Sequence, residues 1–273
     1  MMITCVKAVF YSATGNTRYA VTKIAGKIAE KLHVPLTDVD FTEPKKREEK
    51  LIFQEGQTAV IGLPVYAGRI PNKILPFVQT HLTGGGALAV PVVTFGNRSY
   101  DHALLELCNE LERAGFHTAA AAAFVSQHAF SEKLAKGRPD DGDQRDMDRF
   151  AGAVADKISH LKKVPEPILA SETEPVTQYY TPLGIDGKPA VFLKARPKTL
   201  ACCTDCKLCA ALCPMGSIDY EHPQTVNGIC IKCQACVKGC PQQAKYFDDP
   251  AFLSHVEMLE QNYTRRAENE MFL

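Results

Sequence analysis

Nine of the chain's eleven cysteines fall between Cys202 and Cys240, and eight of those repeat one pattern twice. The first run is CTDCKLCAALCP, beginning at Cys203, and the second is CIKCQACVKGCP, beginning at Cys230. Each half reads Cys, two residues, Cys, two residues, Cys, three residues, Cys, Pro. A cubane cluster needs four thiolates converging from different directions, and a CxxCxxC loop wraps only three around one corner. This is the spacing of paired 4Fe–4S clusters, in which the fourth Cys of each run ligates the other cluster. By that rule one cluster takes Cys203, Cys206, Cys209 and Cys240, and the other takes Cys230, Cys233, Cys236 and Cys213. Pro214 and Pro241 suit the turns that leave the ligand loops, because a fixed φ favours a sharp exit.

Two other uses of cysteine compete with this reading. Zinc ribbons employ two Cys per half, which leaves the third Cys and the Cys-Pro ending of each run unexplained. A disulfide framework requires an oxidising compartment, and the opening MMITCVKAVF has neither a charged n-region nor a cleavage site. The expectation is therefore iron–sulfur chemistry in a reducing cytoplasm. Residues 198–249 resemble the bacterial two-cluster ferredoxins, with CPMGSI echoing the CPxxAI of that family. The second half departs from it, with Lys245 where an apolar residue is usual. Five lysines (198, 207, 232, 238, 245) balance five carboxylates (205, 219, 221, 248, 249), so this stretch has no acidic field to steer a basic partner. Cys202 is left over, either as a spare thiol or as the sign of a ligand register shifted by one.

At 273 residues the chain has room for two domains, and the cysteines divide it. Cys5 and Cys108 stand alone in apolar contexts and read as core residues. Lys plus Arg equals Asp plus Glu at 31 each, which argues against nucleic acid or an anionic membrane as partner. No apolar run approaches the ~20 residues of a membrane span.

Taken in order, ITCVKAVFY (3–11) reads as a buried strand, and Ala20, Ile24, Ile28 and Leu32 share one helix face after it. A weaker strand (34–41) precedes EPKKREEK, a solvated charged turn or helix. Strand three (58–63), a helix (71–81), strand four within GGGALAVPVVTF, and a helix with Leu104, Leu107, Cys108 and Leu111 inward follow. Strand five (116–125) is thin, with five alanines, and a helix near 143–162 carries Phe150, Val154, Ile158 and Leu161 on one stripe. Alternating strands and helices imply a doubly wound five-stranded parallel sheet, with ligand loops at the strand carboxyl ends. From 164 to 199 prolines accumulate, and Asp186-Gly187 marks a hairpin whose Val191, Phe192 and Leu193 should find cover. The expected division is 1–163 for the sheet domain, 164–199 for a linker, 200–249 for the cluster domain and 250–273 for a C-terminal helix.

Three loops carry the chemistry of the first domain. Ser12, Ala13, Thr14, Gly15, Asn16 and Thr17 join the first strand to the first helix, where free N–H groups and hydroxyls suit a phosphate. The loop lacks GxxxxGK and GxGxxG, so it fits neither nucleoside triphosphate nor dinucleotide. PVYAGRIP and FGNRSYD follow strands three and four, each with a Gly and one Tyr, Tyr66 and Tyr100. An isoalloxazine ring needs such flat walls and backbone groups. In the order and spacing of these loops, residues 1–160 resemble flavodoxins, with the order 2-1-3-4-5 for the sheet. That resemblance implies FMN, with Ser12, Thr14, Gly15, Asn16 and Thr17 at its phosphate. Pro64, Val65, Tyr66, Ala67 and Gly68 would line one side of the ring, and Thr94, Gly96, Asn97 and Tyr100 the other. Arg69 and Arg98 are candidates for its N1–C2 edge. The chain has no Trp, which leaves Tyr66 as the aromatic for the inner ring face. His128 after Ser126, and His102 after Asp101, lack a partner at the spacing of a hydrolase site.

As a whole the chain resembles the flavodoxin–ferredoxin fusion flavoproteins of anaerobes, in which KGRPDDGD (136–143) also recurs. The resemblance implies an oxidoreductase in which two 4Fe–4S clusters relay low-potential electrons to FMN, which reduces a small substrate or a partner protein. A ferredoxin or a reductase would be the donor. The alternative is a pure carrier between protein partners.

Overall fold

The apolar run near the N-terminus becomes strand β1 (Cys5–Phe10), buried because its β-branched and aromatic side chains serve both faces of a sheet. The computed structural model describes residues 2–168 and 175–273. After β1 come α1 (Asn16–Leu32), β2 (Leu36–Asp40), β3 (Gln57–Pro64), α2 (Leu75–His81), β4 (Leu88–Phe95) and α3 (Ala103–Arg113). Then follow β5 (Ala121–Val125), α4 (Asp141–Ser159), α5 (Pro250–Asn262) and β6 (Glu270–Phe272). Strands β1 to β5 are parallel in the order 2-1-3-4-5, a doubly wound flavodoxin-like sheet.

Alternation along β1 divides the core. Val6, Ala8 and Phe10 face α1 and α4, meeting Ile24, Ile28, Phe150 and Val154. Val9 and Tyr11 face the other layer, with Leu104, Leu107 and Leu111 of α3. The alanines that thin strand five are all buried, and the strand is interrupted, with His117–Thr118 pairing separately beside β4. Their small side chains let α4 approach, so that Phe150 meets Phe124 edge-on at 6.0 Å.

The C-terminal region differs from the expected single helix. Helix α5 stops at Asn262, and the chain returns to the sheet as β6, antiparallel to β5. Buried Asn97 holds this return, its amide donating to the carbonyls of Tyr263 and Arg265, both at 2.7 Å, and accepting from Ala267 N–H. The KGRPDDGD stretch locks it from the other side. Arg138, buried, pairs with the fully buried Asp143 and donates to Ala267 O at 2.6 Å. Asn269 donates to Asp143, while Asp140 caps α4 and pairs with Arg266. The motif is thus a clamp on the tail.

Two further expectations fail for tertiary reasons. Val191 and Leu193 are 74% and 83% exposed, because the hairpin turns only Phe192 inward, onto Phe252 and His255 of α5. Within EPKKREEK, Arg47 is not a solvated charge; it is half-buried and donates to Pro214 O in the cysteine-rich part. That part is a small unit of two four-residue helices, Leu208–Ala211 and Ala235–Lys238. Its two-residue strands, Lys198–Thr199 and Lys245–Tyr246, pair antiparallel, so the unit draws in the end of the expected linker.

Among the described residues no helix is long and apolar enough to cross a membrane.

Candidate functional site

Strand order reverses around β1, and the crevice beyond the carboxyl ends of such strands is where doubly wound sheets take ligands. A cavity of about 230 Å³ lies there. Its floor is Thr14, Asn16 and Thr17 from the start of α1, Pro64 to Gly68 after β3, and Thr94 and Gly96 at the end of β4. Gly15, at φ 91°, turns the chain into α1 so that the first helical N–H groups, which have no intrahelical acceptor, come free at this end. Gly96 has no room for a side chain: a Cβ there would stand 2.3 Å from the His128 ring.

The other expected residues do different work. Ser12 accepts from the backbone of Arg18 at 3.0 Å and, with Gly15, shapes the loop without lining the cavity. Thr17 and Thr94 share a buried hydrogen bond of 2.7 Å. Asn97 holds the tail, and the Tyr100 hydroxyl donates to Glu270 at 2.6 Å, so Tyr66 and Tyr100 do not face each other across the cavity. Arg69 is drawn into an ion pair with buried Glu106. Arg98 lines the cavity, pairs with Asp101 and stacks 4.1 Å from the ring centre of Tyr180.

Sequence reasoning missed the roof. Tyr180 enters from the linker, its N–H bonded to Ala67 O at 2.8 Å, and Phe192 and His255 come from the hairpin and α5. The loop after β5 adds Gln127, His128 and Phe130, and Gln127 O accepts from Asn16 at 3.1 Å. The signal was present in SQHAF, a polar aromatic cluster at a strand's carboxyl end. His128 Nδ1 accepts from Phe130 N–H at 3.1 Å, which leaves the proton on Nε2. Burial, with His255, Lys238 and Arg98 adding repulsion, pushes this imidazole down to about 4. His255 has the opposite arrangement: its Nδ1 donates to Leu183 O at 2.8 Å, and burial lowers its pKa.

Cysteines of both runs line two small voids. One small void, about 20 Å³, is lined by Cys213, Cys230, Cys233 and Cys236; another, about 10 Å³, by Cys203, Cys206, Cys209 and Cys240. The two runs share a backbone. Asp205 and Lys232, Lys207 and Gln234, and Gly216 and Gln243 occupy matching positions, all at positive φ. The fourth Cys of each run accepts a backbone N–H on sulfur, Ser217 to Cys213 at 3.3 Å and Ala244 to Cys240 at 3.2 Å. Among the described residues no three His, Cys, Asp or Glu converge on a single ion position.

Lys245 lines the second of these voids, 3% exposed, and donates to Thr199 and to Pro223 O. Lys232, 9% exposed, lines the first and donates to Leu193 O at 2.7 Å. Neither ammonium has a carboxylate partner among the described residues, and a buried cation calls for an anion. Cys233 also lines the large cavity, together with Ile231 and Lys232, so the two sites share a wall.

No family model and no curated protein matches the chain. Among solved structures, a flavodoxin from the domain Archaea is 16% identical, over 57% of this chain and 99% of its own, with a TM-score of 0.43. A flavodoxin of Streptococcus pneumonia TIGR4 is 19% identical over 56% and 99%, at 0.41. Rubredoxin oxygen:oxidoreductase of the anaerobe Desulfovibrio gigas is 16% identical over 58% and 37%, at 0.35. No residue role is carried over from them.

Proposed function

We propose that this chain is an FMN-dependent iron–sulfur oxidoreductase, with FMN in the large cavity and a 4Fe–4S cluster in each four-cysteine void. One observation carries the reading: Cys233 belongs to the wall of both the cavity and a four-cysteine void. Thiolate-bound clusters exchange single electrons, and an isoalloxazine ring accepts one or two, so the pairing lets a one-electron donor drive a two-electron reduction.

The residues divide the work. Thr14, Asn16 and the start of α1 offer donors to a phosphate. The Pro64–Gly68 turn, closed by Tyr66 N–H to Arg69 O at 2.8 Å, gives the ring a fixed wall. Tyr180 and Phe192 exclude water from above. The covalent tether keeps the cysteine unit at high effective concentration beside the cavity, in place of a bimolecular encounter. The donor is a low-potential ferredoxin or reductase. The acceptor is a small molecule in preference to a second protein, because His128 and His255 present a donor and an acceptor nitrogen in the cavity wall, suited to hydrogen-bonding a small polar substrate, which a pure carrier does not require.

Protein purified without oxygen is expected to hold about eight irons and one FMN per chain. Cys206→Ser should lose one cluster and Cys202→Ser none. In stopped flow, clusters reduced by a low-potential donor should reoxidise as flavin absorbance falls, at a rate independent of protein concentration. A rate proportional to concentration rules out the internal relay, and retention of all iron in Cys206→Ser rules out the ligand sets.

A further inference from the structure

Arg47 and Tyr11 stand at the boundary between the sheet and the cysteine unit, and nothing assigned so far uses them. Arg47 ends the 3-10 turn Pro44–Arg47, half-buried, and its guanidinium donates to the carbonyls of Phe41, Thr42 and Pro214. Three of its N–H donors are used on carbonyls, and among the described residues it has no carboxylate partner. Tyr11, fully buried under that guanidinium with 5.9 Å between them, has the Tyr66 hydroxyl beside its own, and its proton has no acceptor among the described residues.

Both lie against the second cysteine set. Pro214, the acceptor of Arg47, follows Cys213 and lines the same void. Pro44 packs 3.6 Å from the Cβ position of Gly216, so the whole 44–47 turn rests on the 213–216 loop. Cys233 and Cys213 are among the groups whose charge acts on the Tyr11 hydroxyl. A half-buried cation without a carboxylate, and a phenol whose proton has no acceptor, beside four cysteines form a polar shell suited to an anion.

We propose that the sheet unit supplies the outer shell of the second cluster. The Tyr11 hydroxyl and the Arg47 guanidinium stabilise negative charge on the group held by Cys213, Cys230, Cys233 and Cys236, and so raise its reduction potential. This rests on the iron–sulfur reading above. Cluster potentials follow net charge, hydrogen bonds to sulfur and exposure, and a fixed positive charge in a low-dielectric boundary lowers the cost of one added electron. The step adds one electron from the low-potential donor and makes or breaks no bond. Each set has one lysine of its own unit beside it, Lys245 at the first and Lys232 at the second, and the second set adds these two groups from the sheet. One consequence is that the cluster nearest the cavity reaches its working potential only when the two units are docked.

The test is a redox titration of the anaerobic holoprotein followed by electron paramagnetic resonance. Iron content and two reducible clusters in the unaltered protein establish the iron–sulfur reading first; their absence defeats that reading. Arg47→Met and, separately, Tyr11→Phe should then lower one midpoint while leaving the other in place. For Arg47→Met the reduced-to-oxidised ratio at the original midpoint should fall about tenfold, equivalent to ~59 mV for one electron. Arg47→Lys should recover part of the shift. Lys245→Met should lower the other midpoint and identify it as the first set. With iron content intact, unchanged midpoints in both Arg47→Met and Tyr11→Phe overturn the proposal, as does a shift in the same wave that Lys245→Met moves. Where Arg47→Met loses iron, Tyr11→Phe, which removes only one hydroxyl, decides.

Discussion

The sheet and the cysteine unit are held together by opposite means. In the sheet, Val6, Ala8, Val9, Val60, Ile61, Val90 and Val92 are fully buried, and helices of eleven to nineteen residues cover both faces. Burial of that kind stabilises by about 1.5–3 kcal/mol per large apolar side chain. The cysteine unit has only Cys209, Ile218 and Cys236 at the centre of its apolar cluster, and two of those are thiols. Its helices of four residues are far below the ~12–15 that approach stability alone. It buries Lys232 and Lys245, two charges that burial should have expelled. One region carries its own stability; the other has too small an apolar centre to do so and, under the proposed function, takes it from thiolate-bound iron and from docking.

The largest test of that contrast is removal of iron. Anaerobic chelation is expected to erase amide protection across 200–249 while β1, β3 and β4 keep theirs, as read by hydrogen exchange. Equal loss in both regions would break the comparison, and equal retention would show that the cysteine unit is held without metal. A smaller effect is expected from Arg138→Met, which leaves Asp143 buried without its guanidinium. Removing one partner of a buried pair costs about 3–5 kcal/mol. Denaturant unfolding of the sheet should register this with the iron content unchanged, and a parallel loss of iron would show the tail clamp to be shared by both regions.

The smallest effect is expected with pH. His128 is held near 4 in the folded chain, below the ordinary imidazole value of 6.5, because burial disfavours its charged form. It therefore contributes stability in full above pH 6.5, and that contribution is lost as pH falls through 4. His128→Gln should flatten the denaturant midpoint between pH 6.5 and 4 relative to the unaltered protein. An identical pH slope in both would mean that the loop after β5 opens before the imidazole titrates.

Local pattern carried much of this molecule into its sequence. The β-branched runs became β1, β3 and β4, and two small voids are each lined by three cysteines of one run and one of the other. What did not show was decided by contacts across long stretches of chain. Asn97 and Tyr100 read as ring contacts from their loop, yet their partners, Tyr263, Arg265 and Glu270, lie more than 160 residues away. Arg47 reads as one charge in a solvated run because its acceptor, Pro214, is 167 residues off. Lys245, out of place in its repeat, makes sense only once the void beside it is visible.

The return of β6 to β5 changes the topological status of the cysteine unit. It is an insertion between the fifth and sixth strands of one sheet and not an appendage. Synthesis runs from the N-terminus, so both cysteine runs leave the ribosome before the strand that covers β5. The open edge of β5 is a pairing hazard for as long as it waits. Edge closure is therefore the last pairing event of the sheet in the life of the nascent chain, and the whole cysteine unit must be made before it can occur.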